Sequence, residues 1–238
     1  MTGYPVVPVT WRAAVRIIRS LYPPIDLFED IADPADWPLL LSAEQKTNPR
    51  VLGAVGRLDL VPAKRSVSGP GASYLMSPFT HASTDRPSRF SDGSYGVLYI
   101  ADRFEVALFE TIHHHIRFMR ATREPPGWTS QFRELVLDVD GELHDLAAAS
   151  PAVFDPIDYA VAQAVAAELH RAGGEGVLYP SVRHPDGLCV GLFYPDLARH
   201  PVQGRHLDYH WNGERVDFYR DAGSRAVFAI EAQTGDLQ

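Results

Sequence analysis

The sequence predicts an α+β domain with a mostly antiparallel or mixed sheet. Three observations carry that reading. Short apolar runs of strand length outnumber long helical patterns. Asn212-Gly213 stands between Leu207–Trp211 and Arg215–Tyr219, a strong hairpin signal. Regular βα alternation is absent, and neither a G-x-G-x-x-G fingerprint nor a P-loop opens a helix after a strand, which argues against a Rossmann or P-loop architecture.

The elements follow in order. Residues 12–22 set Arg12, Arg16 and Arg19 among Val15, Ile17, Ile18 and Leu21, which predicts an amphipathic helix stopped by Pro23-Pro24. A turn-rich acidic stretch follows, with Asp26, Glu29, Asp30, Asp33 and Asp36. Trp37 to Lys46 reads as a second short helix, ended by Asn48-Pro49. Residues 1–65 are therefore expected to form an N-terminal helical extension packed on a core of residues 66–238, with no linker between them.

Within that core, Ser68–Gly71 is a turn, and Ala72–Thr80, with Tyr74, Leu75, Met76 and Phe79, is predicted as a strand. His81–Pro87 is polar and reads as a loop, and Gly96–Ala101 as a short buried strand. Asp102 is the expected N-cap of the next helix, with Glu105 at capping-box spacing. That helix runs through Val106, Leu108, Phe109, Ile112, Ile116 and Met119 before Pro125-Pro126-Gly127. Gln131–Val139 alternates as a strand does. Pro156–Ala172 has helical spacing and stops at Gly173-Gly174. Gly176–Tyr179 and Leu188–Phe193 are apolar strands around the loop 180–187, and Ala226–Glu231 is the last strand.

Composition narrows the function classes. A chain of 238 residues with 45% hydrophobic content can bury one large core or two small ones. A net charge of -8 disfavours a general nucleic-acid binder, but local arginines can still hold a small anionic ligand. The single cysteine, Cys189, lies in an apolar run and is expected as a buried thiol; with no disulfide possible within the chain, a reducing cytoplasm fits. No signal-peptide pattern or run of membrane-spanning length is present.

The chemistry concentrates between Ser88 and Glu110. Arg89 precedes a Gly-rich turn, the strand that follows carries Tyr99, and the next helix carries Glu110 on its apolar flank. A guanidinium pairs with phosphate, an aromatic ring stacks on a planar base, and a carboxylate stabilises a cationic sugar. Each residue also has a plain structural reading. Arg89 can pair with Asp92 or Glu110, Tyr99 can be ordinary core, and Ser181 can cap its own turn. His113-His114-His115 point about 100° apart on a helix and cannot share one ion, so no metal site is predicted.

The motifs Arg89-Phe90, Leu98-Tyr99-Ile100-Ala101, Ala107-Leu108-Phe109-Glu110 and Tyr179-Pro180-Ser181 occur in this order. With Pro23-Pro24-Ile25-Asp26-Leu27-Phe28 and Thr47-Asn48-Pro49-Arg50, they make residues 20–231 resemble the RES-domain family, bacterial toxins named for an Arg, a Glu and a Ser. The resemblance implies an ADP-ribosyltransferase-like fold and NAD as substrate, with no permanently bound cofactor. It implies cleavage of the nicotinamide–ribose bond by hydrolysis or by phosphorolysis with inorganic phosphate, or else transfer of ADP-ribose to a protein. A non-catalytic interaction module is a further alternative. It also implies a helix-turn-helix antitoxin as partner. Carried onto this chain, Arg89 would hold the diphosphate, Tyr99 would shape the nicotinamide–ribose pocket, Glu110 would favour the cationic sugar, and Ser181 would bind an amide or phosphate oxygen. His81 stands near the place where shorter members carry a basic or aromatic pair, and is the candidate for that binding role.

Overall fold

A computed structural model of the chain describes residues 3–29, 33–48 and 50–231. Asp30 and Pro49, used above as turn and stop signals, lie outside the described residues. The architecture is α+β, built on an eight-stranded mixed sheet in the order β1-β2-β5-β4-β3-β6-β7-β8. Its strands are β1 (Val6–Arg19), β2 (Leu98–Ala101), β3 (Trp128–Asp145), β4 (Gly176–Pro180), β5 (Leu188–Leu192), β6 (Ala198–Trp211), β7 (Val216–Asp221) and β8 (Val227–Ala229). β3 and β4 run parallel, and the other pairings are antiparallel. β1 pairs with both β2 and β3, so β1, β2, β5, β4 and β3 form a closed ring of pairings.

Two expectations are corrected here. The first is the helix over 12–22, which is instead the second half of β1, paired with β3 from Val6↔His144 to Arg19↔Phe132. A bulge between Trp11 and Ala14, with Ala13 at φ 56, reverses the alternation partway along. Before it Val9 faces the second of two cores; after it Ala14 faces that core while Val15 and Ile17 face the first. With both faces apolar and the period broken, the sequence mimics a helix. The N-terminal segment is thus a sheet strand followed by helices α1 (Asp26–Glu29), α2 (Trp37–Glu44) and α3 (Val51–Val55).

The second correction is Ala72–Thr80, which is helix α4. Ala72, Leu75, Met76 and Phe79 are all buried, a spacing of i, i+3, i+4 and i+7. The Glu29 carboxylate accepts the Gly71 amide at 2.6 Å and the Ser73 amide at 3.0 Å, satisfying amide donors at the start of α4 from a distant part of the chain. Helix α5 (Phe104–Arg120) is where the pattern placed it, but Arg103 occupies the N-cap and the proposed box does not form; the Asp102 carboxylate instead bonds Arg103 at 2.6 Å. Helix α6 (Ala160–Arg171) also forms, starting later than expected.

The two cores lie on opposite faces of the sheet. Helices α5 and α6 cover one, around Phe90, Val106, Leu108, Ile112, Tyr179 and Tyr209. The N-terminal helices and α4 cover the other, around Phe28, Trp37, Met76, Phe79, Leu98 and Val190. A fully buried side chain of this size contributes about 1.5–3 kcal/mol. Strand alternation sends Leu98 and Ile100 into the second core and leaves Tyr99 and Ala101 on the α5 face. Cys189 is buried on that face as well, and burial pushes its thiol well above the usual range. Among the described residues no helix is long and apolar enough to cross a membrane.

Candidate active site

The turn before β2 places Arg89. Ser88 and Ser91 exchange backbone bonds at 2.8 and 3.4 Å. The Tyr99 hydroxyl accepts the Phe90 amide at 2.9 Å and bonds the Ser88 hydroxyl at 2.8 Å. The Tyr95 hydroxyl donates to the Phe90 carbonyl at 2.6 Å, and the Gln163 amide donates to the Ser88 carbonyl at 2.8 Å. Gly93, at φ +94, lies so close to Ser83 that a Cβ there would stand 2.1 Å from the Ser83 carbonyl oxygen. The turn is therefore fixed from several sides, and its side chain of interest points inward.

Arg89 is buried. Its Nη1 donates to the carbonyls of Val153 at 3.2 Å and Asp155 at 2.9 Å, and its guanidinium lies 4.6 Å above the Tyr159 ring. Neither structural pairing considered from the sequence forms. Asp92 instead accepts the Ser94 amide and hydroxyl, and no carboxylate lies within ion-pair distance of Arg89 among the described residues. The Nε and Nη2 edge of the guanidinium has no protein partner among those residues, so a planar donor fork remains available.

Glu110 projects from the middle of α5. Its Oε1 accepts the Ser181 hydroxyl at 2.7 Å. Burial raises its carboxyl above the ordinary value, opposed by the Ser181 bond and by the positive charges of Arg183 and Arg89. The Ser181 Oγ also accepts the amides of Arg183 and His184, each at 3.1 Å. A hydroxyl has one donor and two acceptor positions, and all three are in use. Ser181 thus joins the loop after β4 to the carboxylate on α5, and in this arrangement it has no position left for a substrate oxygen.

The four motif residues separate by role. Arg89, Glu110, Ser181 and Arg183 form one cluster, close enough for both guanidiniums to act on the Glu110 carboxyl, while Tyr99 bonds the Arg89 turn. Tyr99 is half-buried, its hydroxyl is committed to the Arg89 turn, and burial pushes that hydroxyl up to about 12. His81 is not brought to the cluster. It ends α4, where its ring contacts the Thr80 hydroxyl at 3.1 Å and the Gly53 carbonyl at 3.4 Å.

Two residues here carry no catalytic role in the sequence reading, which leaves Tyr159 unremarked and takes Arg183 only as a loop residue that could line a cleft. Tyr159 supplies the ring under Arg89. Arg183 donates from Nη2 to the Pro156 carbonyl at 2.7 Å, and its Nε is buried without a partner among the described residues. Spacing offered one signal for Arg183, its place two residues after Ser181; nothing local marked Tyr159. The histidines of α5 diverge: His115 is buried with its ring 5.0 Å from that of Phe132, His114 is exposed, and His113 is half-buried. Burial and the nearby Arg183 push His113 down to about 3, so it is neutral at physiological pH.

The arrangement sets one desolvated carboxylate near two guanidiniums that make no ion pair with a carboxylate among the described residues. Such a site can hold an anion and stabilise a cation next to it. Comparison with known proteins gives three findings. A protein of Sinorhizobium fredii called uncharacterized protein y4oC is 29% identical over 219 residues, spanning 88% of each chain. A solved chain from the M. tuberculosis MbcT–MbcA toxin–antitoxin complex is similar over 84% of this chain and 86% of its own, at 12% identity and a TM-score of 0.41. The RES domain model matches residues 63–212, and on this match the chain belongs to the RES domain family.

Proposed function

We propose that this chain cleaves the nicotinamide–ribose bond of NAD. The observation that carries the reading is the 2.7 Å bond from Ser181 to Glu110 near Arg89, whose guanidinium makes no ion pair among the described residues. It joins two of the three residues that the resemblance assigns to the RES motif, and the third lies close enough to act on the same carboxyl.

The chemistry asks little acid catalysis of the protein. The C1′–N1 bond breaks, its electron pair goes to the nicotinamide nitrogen, and the pyridinium becomes neutral. Positive charge develops on the ribose. Water or inorganic phosphate then forms the new C1′–O bond, and water gives up a proton in doing so. Arg89 binds the diphosphate through its free fork. Glu110 lies beside the sugar, where a partly desolvated carboxylate interacts strongly with the developing cation. Ser181 keeps that carboxylate oriented and favours its ionised form. Tyr99 holds the turn from which Arg89 projects, and so acts as a positioning residue.

Chromatography of NAD incubated with the purified chain, with and without phosphate, tests this. Free ADP-ribose identifies hydrolysis, and a phosphorylated ADP-ribose appearing only with phosphate identifies phosphorolysis. NAD left intact by folded protein refutes the reading. The family resemblance also carries a helix-turn-helix antitoxin as partner, tested by co-purification with the product of an adjacent reading frame of that type.

A further inference from the structure

Arg183 is not one of the residues for which the family is named, yet it belongs to the same cluster. Its backbone amide is fixed by the Ser181 hydroxyl at 3.1 Å. Its side chain reaches across to the Pro156 carbonyl at 2.7 Å. Arg89 reaches the same segment from the other side, through Val153 and Asp155. Residues 153–156 thus anchor two guanidiniums by backbone carbonyls, which carry no net charge. The nearby acids are otherwise engaged. Glu110 accepts Ser181, and the Asp155 carboxylate accepts the amides of Ile157 and Asp158, both at 2.7 Å. No carboxylate lies within ion-pair distance of Arg183 among the described residues, and its Nε is buried without a partner.

Two buried or half-buried guanidiniums that make no direct ion pair among the described residues, with Glu110 the one buried carboxylate acting on both, leave a net positive site that a ligand's negative charge would stabilise. Two phosphates, each with one negative charge, would do so. We propose that Arg183 is a second diphosphate-binding residue, working with Arg89, and that it sets the preference for the dinucleotide over substrates lacking a diphosphate. The proposal rests on the NAD reading of the site. A residue that only stapled its loop to Pro156 would not discriminate between such ligands.

The test compares wild type, Arg183→Gln and Arg183→Lys. ADP-ribose binding is measured by calorimetry, NAD turnover by steady-state kinetics, and nicotinamide riboside, which has no diphosphate, is offered as an alternative substrate. We expect Arg183→Gln to weaken ADP-ribose binding and to raise the KM for NAD about 10- to 100-fold, with a smaller change in kcat. Arg183→Lys, which keeps the charge and loses the fork, should fall between. Any nicotinamide riboside turnover should fall far less than NAD turnover, by no more than the loss of the Arg183 charge beside Glu110 causes. Wild-type affinity for ADP-ribose in a folded Arg183→Gln chain overturns the assignment, as does an equal loss toward both substrates. If Arg183→Gln does not fold, the same comparison is made with Arg183→Lys, and unaltered binding there overturns it. A wild-type chain that binds neither NAD nor ADP-ribose fails at the earlier step and refutes the NAD reading itself.

Discussion

Replacing Ser181 by Ala separates a positioning serine from a substrate-binding one. The substitution removes three hydrogen bonds, to the Glu110 carboxylate at 2.7 Å and from the amides of Arg183 and His184 at 3.1 Å each. The two amides stand in a half-buried loop and can turn to water, so their loss is small. The bond to the carboxylate is the expensive one. Hydrogen bonds to charged groups contribute about 1.5–3 kcal/mol, and 1.36 kcal/mol is a tenfold change in rate, so kcat/KM at neutral pH should fall about 10- to 150-fold. The pH dependence carries the sharper signature. Ser181 donates to the ionised form of Glu110 and pulls its carboxyl down against the effect of burial. Without that donor the carboxyl titrates at higher pH, so the acid limb of the kcat/KM profile moves up and part of the lost activity returns at alkaline pH. Initial rates of nicotinamide release from pH 5 to 9.5 measure this. A Ser181→Ala enzyme with an unmoved acid limb and a constant loss at every pH would show that the hydroxyl contacts substrate, contrary to its saturated bonding.

Three further outcomes follow from the same geometry. Glu110→Gln should be less active yet more stable at pH 8. The folded chain holds this carboxyl above its ordinary value, so it binds the proton more tightly than the unfolded chain does. Stability from this group therefore falls as pH rises through the folded value, and the Tm gain of the Gln variant should vanish below about pH 4, near the unfolded value. Arg89→Lys should raise the KM for NAD at least about tenfold and lower kcat with it, because a point charge replaces a planar fork; steady-state kinetics check this. Tyr99→Phe leaves the Phe90 amide and the Ser88 hydroxyl without their partner, which should cost about 1–3 kcal/mol and lower Tm on the order of 3–10 °C, read by thermal unfolding.

The parts of the fold that could be read from sequence were those whose local signals agree with their tertiary setting. Helix α5 shows helical spacing over its full length, and the β6–β7 hairpin has Asn212-Gly213 at its turn. β1 and α4 were misread for opposite reasons. The bulge at Ala13 breaks the alternation that would identify a strand. In α4, residues of strand-like composition lie on a helical period, and Pro78 inside the helix adds to the confusion. Of the proposed site, the proximity of Arg89, Glu110 and Ser181 was legible, and the last two share a direct bond. Arg183 and Tyr159 were not assigned roles, since only the packing of segment 153–159 against the cluster reveals what they touch. The division of labour was also invisible. The Tyr99 hydroxyl is bonded to the Arg89 turn, and His81 lies at the end of α4 beside Gly53.

The most direct test is the rate of nicotinamide release from NAD by wild type and by folded Glu110→Gln at pH 7.5. The account predicts steady release by wild type and a loss of at least about a hundredfold in the variant, with its Tm equal or higher. Equal rates in the two proteins, or no release by either, would contradict the central role given to the carboxylate that Ser181 holds.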